Sequence, residues 1–438
     1  MRDLSFQSHK YHVMIVGGLT LFSLSLALSK SAANVSMALI YLATLFFIVR
    51  YEDFRKTLLQ SANQPLLLPL ALFLSVAVIG VLFTENMRDG IGIANKLFGL
   101  FLVYIMVSTL LDWIETSKGE SRVAERLLLA FLVGIFVLDV IAVPSYLGIA
   151  ADTQLARSFT PLLNLHHIWF ANLNAVGMYA AAGFLLFQFR QAGTRKKAFL
   201  VSFVILDGAS VLLSASRSAW LGMLITVIVL AYLCVKKKKT YFILLAAVIG
   251  GALLLYFFNG IVHMRVNRVA GDISLFLAGQ ASTDVGERFL MWKAAFRMFL
   301  SNPLFGVGTG DYVSTMNSFM ATGEFPAYLA QFNQPHNMYL FTLATNGLVG
   351  LSALLYIFYR GLRFALPFLK SGGSERLFAF LAAATIVHYM VAGLTDSFFN
   401  IQILRYVFGF VMGVCVRNSM KTEKFEVVKM RRWEDGKL

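Results

Sequence analysis

Pro335-His336-Asn337 is the tripeptide best set up for chemistry in this sequence. Imidazole is the commonest general base near neutral pH. The fixed proline before His336 and the amide of Asn337 after it would restrict where the ring can go. The plainer reading is an interfacial histidine capping an apolar helix. Three arginines come earlier in the chain, Arg217, Arg265 and Arg288. A guanidinium grips phosphate oxygens bidentately and stays charged when partly buried. Arg265 or Arg288 alone reads more simply as a surface charge. Arg217 lies in Ser214-Ala215-Ser216-Arg217-Ser218, a tight polar link between two apolar runs. There it is either a snorkelling anchor or a ligand-binding group. Asp396, in Gly393-Leu394-Thr395-Asp396-Ser397, could orient a histidine, pair an arginine, or be an ordinary loop acid. Together these residues suggest an anion held beside a base.

The elements that must position them are hydrophobic. The chain is 58% hydrophobic and only 14% charged, where a soluble protein would be nearer a quarter charged. Apolar runs of roughly 20 residues recur along the whole length, the signature of helices that cross a bilayer. The expected fold is an all-α integral membrane protein of about twelve transmembrane helices, with a large helical loop between spans nine and ten. The spans fall near 12–28, 32–49, 66–83, 91–111, 127–147, 167–189, 198–214, 218–235, 240–258, 337–359, 377–395 and 398–416. This divides the chain into spans one to nine (1–258), the loop (259–335), and spans ten to twelve with a basic tail (336–438).

The net charge of +15 would suggest nucleic acid in a soluble protein. Here 27 of the 38 Lys and Arg fall in alternate connections, the N-terminus, 50–65, 111–126, 190–197, 236–239, 360–376 and 417–438. The positive-inside rule places those segments and both termini in the cytoplasm, and nucleic acid is not the expected partner. The first span is expected to be retained rather than cleaved. The 259–335 stretch then faces outward. Its own five basic residues run against the rule and suggest an anionic partner.

That stretch is expected to hold a helix over 286–300, with Phe289, Trp292, Phe296 and Phe299 on one stripe. Arg288 sits one turn before Trp292, at the stripe's edge and turned toward protein or lipid. Lys293 and Arg297 point the opposite way. Asn302-Pro303 stops the helix. Gly306-Val307-Gly308-Thr309-Gly310-Asp311 follows as a flexible turn. Such a turn can cradle phosphate with backbone N–H groups, but it lacks the Lys-Ser/Thr of a P-loop, so a plain turn is the simpler reading.

Other polar groups are weaker candidates. His166-His167 has no acidic partner in sequence, and His388 reads as a packed contact within a span. Lys96, Asp139 and Asp207 fall within spans, where an ionisable group is either functional or part of a structural ion pair. Cys234 and Cys415 lie in apolar spans and give neither a disulfide framework nor zinc spacing. No Asp-x-Asp pair and no Walker motif occur, and the first outer loop, near Ser29 to Ala33, has no acid. A metal-dependent glycosyltransferase, a polyprenyl-donor enzyme with its base in that loop, and an ATPase are therefore disfavoured.

Ser216-Arg217-Ser218-Ala219-Trp220-Leu221-Gly222 resembles the bacterial O-antigen ligase family. So do Glu287-Arg288 with Trp292, Gly306-Val307-Gly308-Thr309-Gly310, and His336-Asn337-Met338-Tyr339-Leu340 followed by Gly347-Leu348-Val349-Gly350. The late outer loop and the span layout are similar as well. These motifs are shared with O-antigen polymerases. The resemblance implies an inner-membrane enzyme of lipopolysaccharide assembly. It would move polysaccharide from undecaprenyl pyrophosphate to a sugar hydroxyl of lipid A-core at the periplasmic face, without metal, ATP or other cofactor. Under that reading His336 is the base, and activity falls in acid. Arg288 and Arg265, with Arg217 as a third candidate, bind the pyrophosphate, and Asn337, Trp292 and Asp396 contact substrate or lipid. The alternatives are the polymerase and, from a different class, a transporter or flippase for an anionic lipid-linked glycan. Against the transporter, no repeat relates the two halves, and the polar candidates gather on one face rather than at the midplane.

Overall fold

The computed structural model of the chain describes residues 2–118, 122–146, 159–160 and 165–417. The basic tail beyond Arg417 lies outside them. Sixteen α-helices follow one another among the described residues. They are α1 (Arg2–Leu28), α2 (Lys30–Arg50), α3 (Glu52–Gln60), α4 (Leu67–Val81), α5 (Met87–Lys118), α6 (Val123–Tyr146), α7 (His167–Phe187) and α8 (Thr194–Leu213). Then come α9 (Arg217–Cys234), α10 (Lys238–Phe258), α11 (Gly260–Leu277), α12 (Asp284–Ser301), α13 (Tyr312–Ala321), α14 (Met338–Ala365), α15 (Gly373–Ala392) and α16 (Gln402–Cys415). A two-residue antiparallel pairing, Phe159–Thr160 with Leu165–His166, leads into α7.

Each of the expected apolar runs falls on a helix, but the count of twelve crossings is not reproduced. Eight helices among the described residues are long and apolar enough to span a membrane, or nine if α3 and α4, bent by 75°, form one broken span. The apolar parts of α1 and α16, Val13–Leu28 and Gln402–Cys415, are shorter. The first turn of α8 carries Arg195, Lys196 and Lys197, and Asp207 is buried inside the helix.

Small residues let the helices close on one another, as in membrane bundles generally. A Cβ at Gly134 on α6 would stand 2.5 Å from the Leu24 carbonyl oxygen of α1, and one at Gly413 on α16 would stand 2.8 Å from Val107 of α5. One large core runs through the bundle. A second, smaller core lies beneath the outer helices and joins Met291, Ala294, Ala295 and Met298 of α12 to Tyr312, Met316, Phe325, Leu329, Phe341 and Ala344. At the far end of the bundle, Glu125, Gln188 and Ser374 hydrogen-bond one another and border a polar cavity of about 580 Å³.

The outer stretch is largely helical, as expected, with α12 spanning 284–301. Thr283 caps it by accepting from Gly286 N at 3.1 Å, and Asp284 and Glu287 lie in its first turn, where the helix dipole favours acids. The face that packs is Met291-Ala294-Ala295-Met298, not the aromatic stripe; Phe296 is 49% exposed. Lys293 and Arg297 are exposed, as the helical angle requires.

The glycine-rich turn is packed rather than flexible. Val307 N donates to Ala344 O at 2.8 Å, Gly308 N to Thr345 O at 3.2 Å, and Thr309 N to Gly80 O at 3.4 Å. In return Leu348 N and Val349 N donate to Pro303 O and Leu304 O. These N–H groups face protein carbonyls, which leaves no phosphate cradle here. The exchange requires α14 to break at Gly347, whose φ is +61° and whose added Cβ would stand 2.3 Å from the Leu304 carbonyl. Gly347→Ala meets both the left-handed backbone penalty and that clash, together about 2 kcal/mol or more. The expected outcome is a thermal midpoint several degrees lower in detergent. An unchanged midpoint would contradict the packing described.

Candidate active site

The start of α14 fixes His336. Asn337 is the N-cap, and its Oδ1 accepts from Tyr339 N and Leu340 N, both at 3.0 Å. Trp292 Nε1 on α12 donates to the Pro335 carbonyl at 2.9 Å, and Met338 N donates to Gly393 O at 2.8 Å. The backbone is therefore held on three sides, and His336 sits in the left-handed region at φ +49°. Such a conformation costs a side-chain-bearing residue roughly 1–2 kcal/mol. It persists where the surroundings enforce it, often at functional sites. The other non-glycine residue with positive φ among those described is Ala215, at +54°, in the tight link beside Arg217.

Asp396 lies behind His336. Its carboxylate is 2% exposed, and Oδ1 stands 3.4 Å from His336 Nδ1. Ser397 N donates to the same oxygen at 2.8 Å and Gln334 Nε2 at 3.4 Å. A carboxylate facing Nδ1 favours the tautomer with its proton there, which leaves the Nε2 lone pair free. His336 is partly open, its side chain 26% exposed. A partly open imidazole with a buried acid behind its Nδ1 is the geometry of a positioned general base.

Arg288 comes to the same point from α12. Its Nη1 donates to the Thr395 carbonyl at 2.6 Å, next to Asp396 in sequence. Burial holds this guanidinium below the usual arginine range; Asp396 and Asp284 oppose the shift and Arg217 adds to it. Arg217, at the start of α9, reaches toward Asp284, with Nη2 at 3.8 Å from Oδ2. Its Nη1 is buried without a partner. Arg265 on α11 is half-buried, and its Nε is also unpartnered. Burial lowers the Arg265 guanidinium too, and Arg217 and Arg268 lower it further against the pull of Asp284. The arginines thus form a chain, Arg265 to Arg217 to Arg288, with donors left open and one exposed acid, Asp284, among them. Such a group is underneutralised and suited to a multiply charged anion.

The fold brings together His336, Asp396, Arg288 and Trp292. It places Arg217 beside Arg288, and Arg265 outermost. Asn337 is 6% exposed, and its acceptor is taken up by the cap, so its contribution here is to hold His336 in place.

One residue was not legible from the sequence. His166, set aside for want of an acidic partner, lies within electrostatic reach of Asp396, His336 and Arg288. Burial depresses its pKa; Asp396 raises it, and His336 and Arg288 lower it further. It is therefore a neutral imidazole near pH 7. Its Nδ1 accepts from Ile168 N at 3.4 Å.

The Ser-Arg-Ser motif is anchored from below. Ser216 Oγ is 3.1 Å from Ser218 Oγ, Asn172 Nδ2 donates to Ser218 Oγ at 3.1 Å, and His388 bridges Asn172 Oδ1 and Tyr179 OH, each at 2.9 Å. Gly222 must be small, because a Cβ there would stand 2.7 Å from the His388 ring. His388 is thus the packed polar contact expected of it. Asp139 and Asp207 do not pair with Lys96. Both are fully buried, on α6 and α8, and they lie against each other, Asn174 and Ser210.

Replacing Asp396 by Asn tests the orienting role. The fold should survive, because amide and carboxylate are isosteric, and turnover should fall about 10–100-fold. The reading is a kcat loss with little change in KM; loss of folded protein instead would make Asp396 purely structural.

No curated protein matches the chain. Residues 200–355 match the family model described as O-Antigen ligase. The matched segment carries Arg217, Arg265, Arg288, Trp292, His336 and Asn337, while His166 and Asp396 come from outside it. Over that segment the chain is similar to the O-antigen ligase family, and eight helices among the described residues are long and apolar enough to cross a membrane.

Proposed function

We propose that the chain is an O-antigen ligase, a glycosyltransferase that moves polysaccharide from undecaprenyl pyrophosphate to a sugar hydroxyl of lipid A-core. The observation that carries this reading is one partly open histidine, backed by a buried carboxylate, beside arginines with unpartnered donors. His336 Nε2 accepts the proton of the acceptor hydroxyl. The oxygen attacks the anomeric carbon, the bond from that carbon to the pyrophosphate oxygen breaks, and the electron pair leaves with the pyrophosphate. Arg288, Arg217 and Arg265 neutralise the charge that develops on it. Direct attack inverts the configuration. The pyrophosphate supplies the driving force, and the arginines take a role that a cation fills elsewhere.

The same reading sets the chain in the bacterial inner membrane with both termini cytoplasmic and His336 facing the periplasm. The alternation of basic connections supports it. Polymerase chemistry would use the same base and arginines with a lipid-linked repeat as acceptor. Purified protein given the lipid-linked polysaccharide with either lipid A-core or a lipid-linked repeat separates the two. Product on lipid A-core with inverted linkage is expected. Chain growth on the lipid-linked repeat alone would make the protein a polymerase. No transfer by folded protein would favour the transporter, for which the sealed Asp139–Asp207 pair is the most suggestive feature.

A further inference from the structure

The donor pyrophosphate accounts for the arginines of α9, α11 and α12. It leaves two cations unexplained on another flank, Lys96 of α5 and Arg405 of α16. Arg405 is 8% exposed. Its Nη1 makes only long contacts, 3.5 Å to Phe399 O and 3.3 Å to Asn400 O, and its Nε is buried with no partner. Gly99 is where α5 meets this group, since a Cβ there would lie 3.9 Å from Arg405 Nε and 3.4 Å from the Tyr406 ring. Lys96 is one turn before Gly99 on the same helix face, half-buried, and close enough to Arg405 to repel it. Asp89, the acid that acts on Lys96, is two turns back and hydrogen-bonded to Asn86. Neither cation forms an ion pair with an acid among the described residues.

Two like charges held together in apolar surroundings are costly unless an anion joins them. The place is also informative. The Thr395-Asp396 end of the connection between α15 and α16 touches Arg288 and His336, and the same connection runs on to Arg405 facing α5. The cation pair therefore lies past the far end of the connection whose near end holds the acid behind the base.

We propose that Lys96 and Arg405 form a second lipid-phosphate site, which holds a phosphate of the acceptor lipid while the donor occupies the arginines. This rests on the ligase reading, in which two lipid-borne substrates must meet at one histidine. A phosphate on the acceptor's lipid moiety lies near the bilayer surface and bridges both cations. The sugar hydroxyl is then free to reach His336.

The test uses full-length protein in proteoliposomes, with lipid A-core carrying its phosphates and the same acceptor stripped of them. Lys96→Gln is the first variant, because Lys96 is half-exposed and holds no other contact. Arg405→Lys is the second, keeping charge while removing the fork. Each should raise KM for the phosphorylated acceptor about tenfold, the size of one charge-assisted contact. Donor KM should stay unchanged, and so should KM for the stripped acceptor. Equal effects on both acceptors, or no effect on either, would overturn the site. Absence of product from wild type with any acceptor would count against the ligase reading instead. Native mass spectrometry then decides the site itself, with phosphorylated lipid A and phosphatidylglycerol offered in competition. Selective loss of bound lipid A in Lys96→Gln supports the proposal; undiminished binding, or equal occupancy by phosphatidylglycerol, overturns it.

Discussion

Replacing His336 by glutamine is expected to lower the transfer rate by about 10²–10⁴-fold, the usual contribution of a positioned general base. Glutamine keeps polarity and much of the volume, so the cap at Asn337 and the Trp292 contact to Pro335 O should remain. Donor binding should be nearly unchanged, because the substitution leaves the arginines' own contacts in place. A variant with full activity would remove His336 from the chemistry. In that case His166 would be the next group to examine, since it lies on the same side and is kept neutral by burial.

Arg288→Ala should be nearly as damaging, for a different reason. Arg288 links three things, the Thr395 carbonyl it binds, the Asp396 carboxylate beside that carbonyl, and the Arg217 end of the cation chain. Its loss removes charge stabilisation on the leaving pyrophosphate, an effect of about 10²–10³ in rate. It also loosens the residue that orients His336. Arg288→Lys should rescue little. An ammonium must serve the Thr395 carbonyl and an anion from a single nitrogen, whereas a guanidinium fork spans the two with separate arms. Arg217→Ala and Arg265→Ala should fall less, by about tenfold each, and mainly in donor KM, since their contacts are looser and more outlying. If Arg288→Lys restored full rate, charge alone would suffice and the fork geometry would carry no weight.

The sequence made the frame legible through hydrophobic runs. Those runs fell on helices because only a helix or a closed barrel satisfies backbone polar groups in a bilayer, and continuous apolar runs of roughly 20 residues suit the helix. It made α12 legible through a periodic stretch ending at Asn302-Pro303. It did not reveal which runs are long enough to cross, because α3 and α4 bend sharply at Asn63–Leu67 and α8 mixes charge with apolar residues. Arg288, His336 and Asp396 were legible as types at suggestive places. Their meeting was not, because it depends on α15 returning to α14 through the Met338 N to Gly393 O bond. His166 was missed for the same reason: its acidic neighbour, Asp396, is 230 residues away in sequence. The glycine-rich turn misled in part. Its glycines answer to the broken backbone of α14, through close approaches such as Gly306 to Ala344 O at 2.5 Å for an added Cβ, and not to a ligand.

In the proposed reaction one oriented histidine and one arginine fork carry the glycosyl transfer. The most direct measurement is single-turnover transfer in proteoliposomes, from polyprenyl-pyrophosphate glycan to lipid A-core, with EDTA present and donor binding measured in parallel. Wild type should give product, His336→Gln should lose two orders of magnitude or more with donor still bound, and Arg288→Ala should lose about as much with donor binding weakened. Wild-type product that persists at full rate in both variants would contradict the proposed reaction.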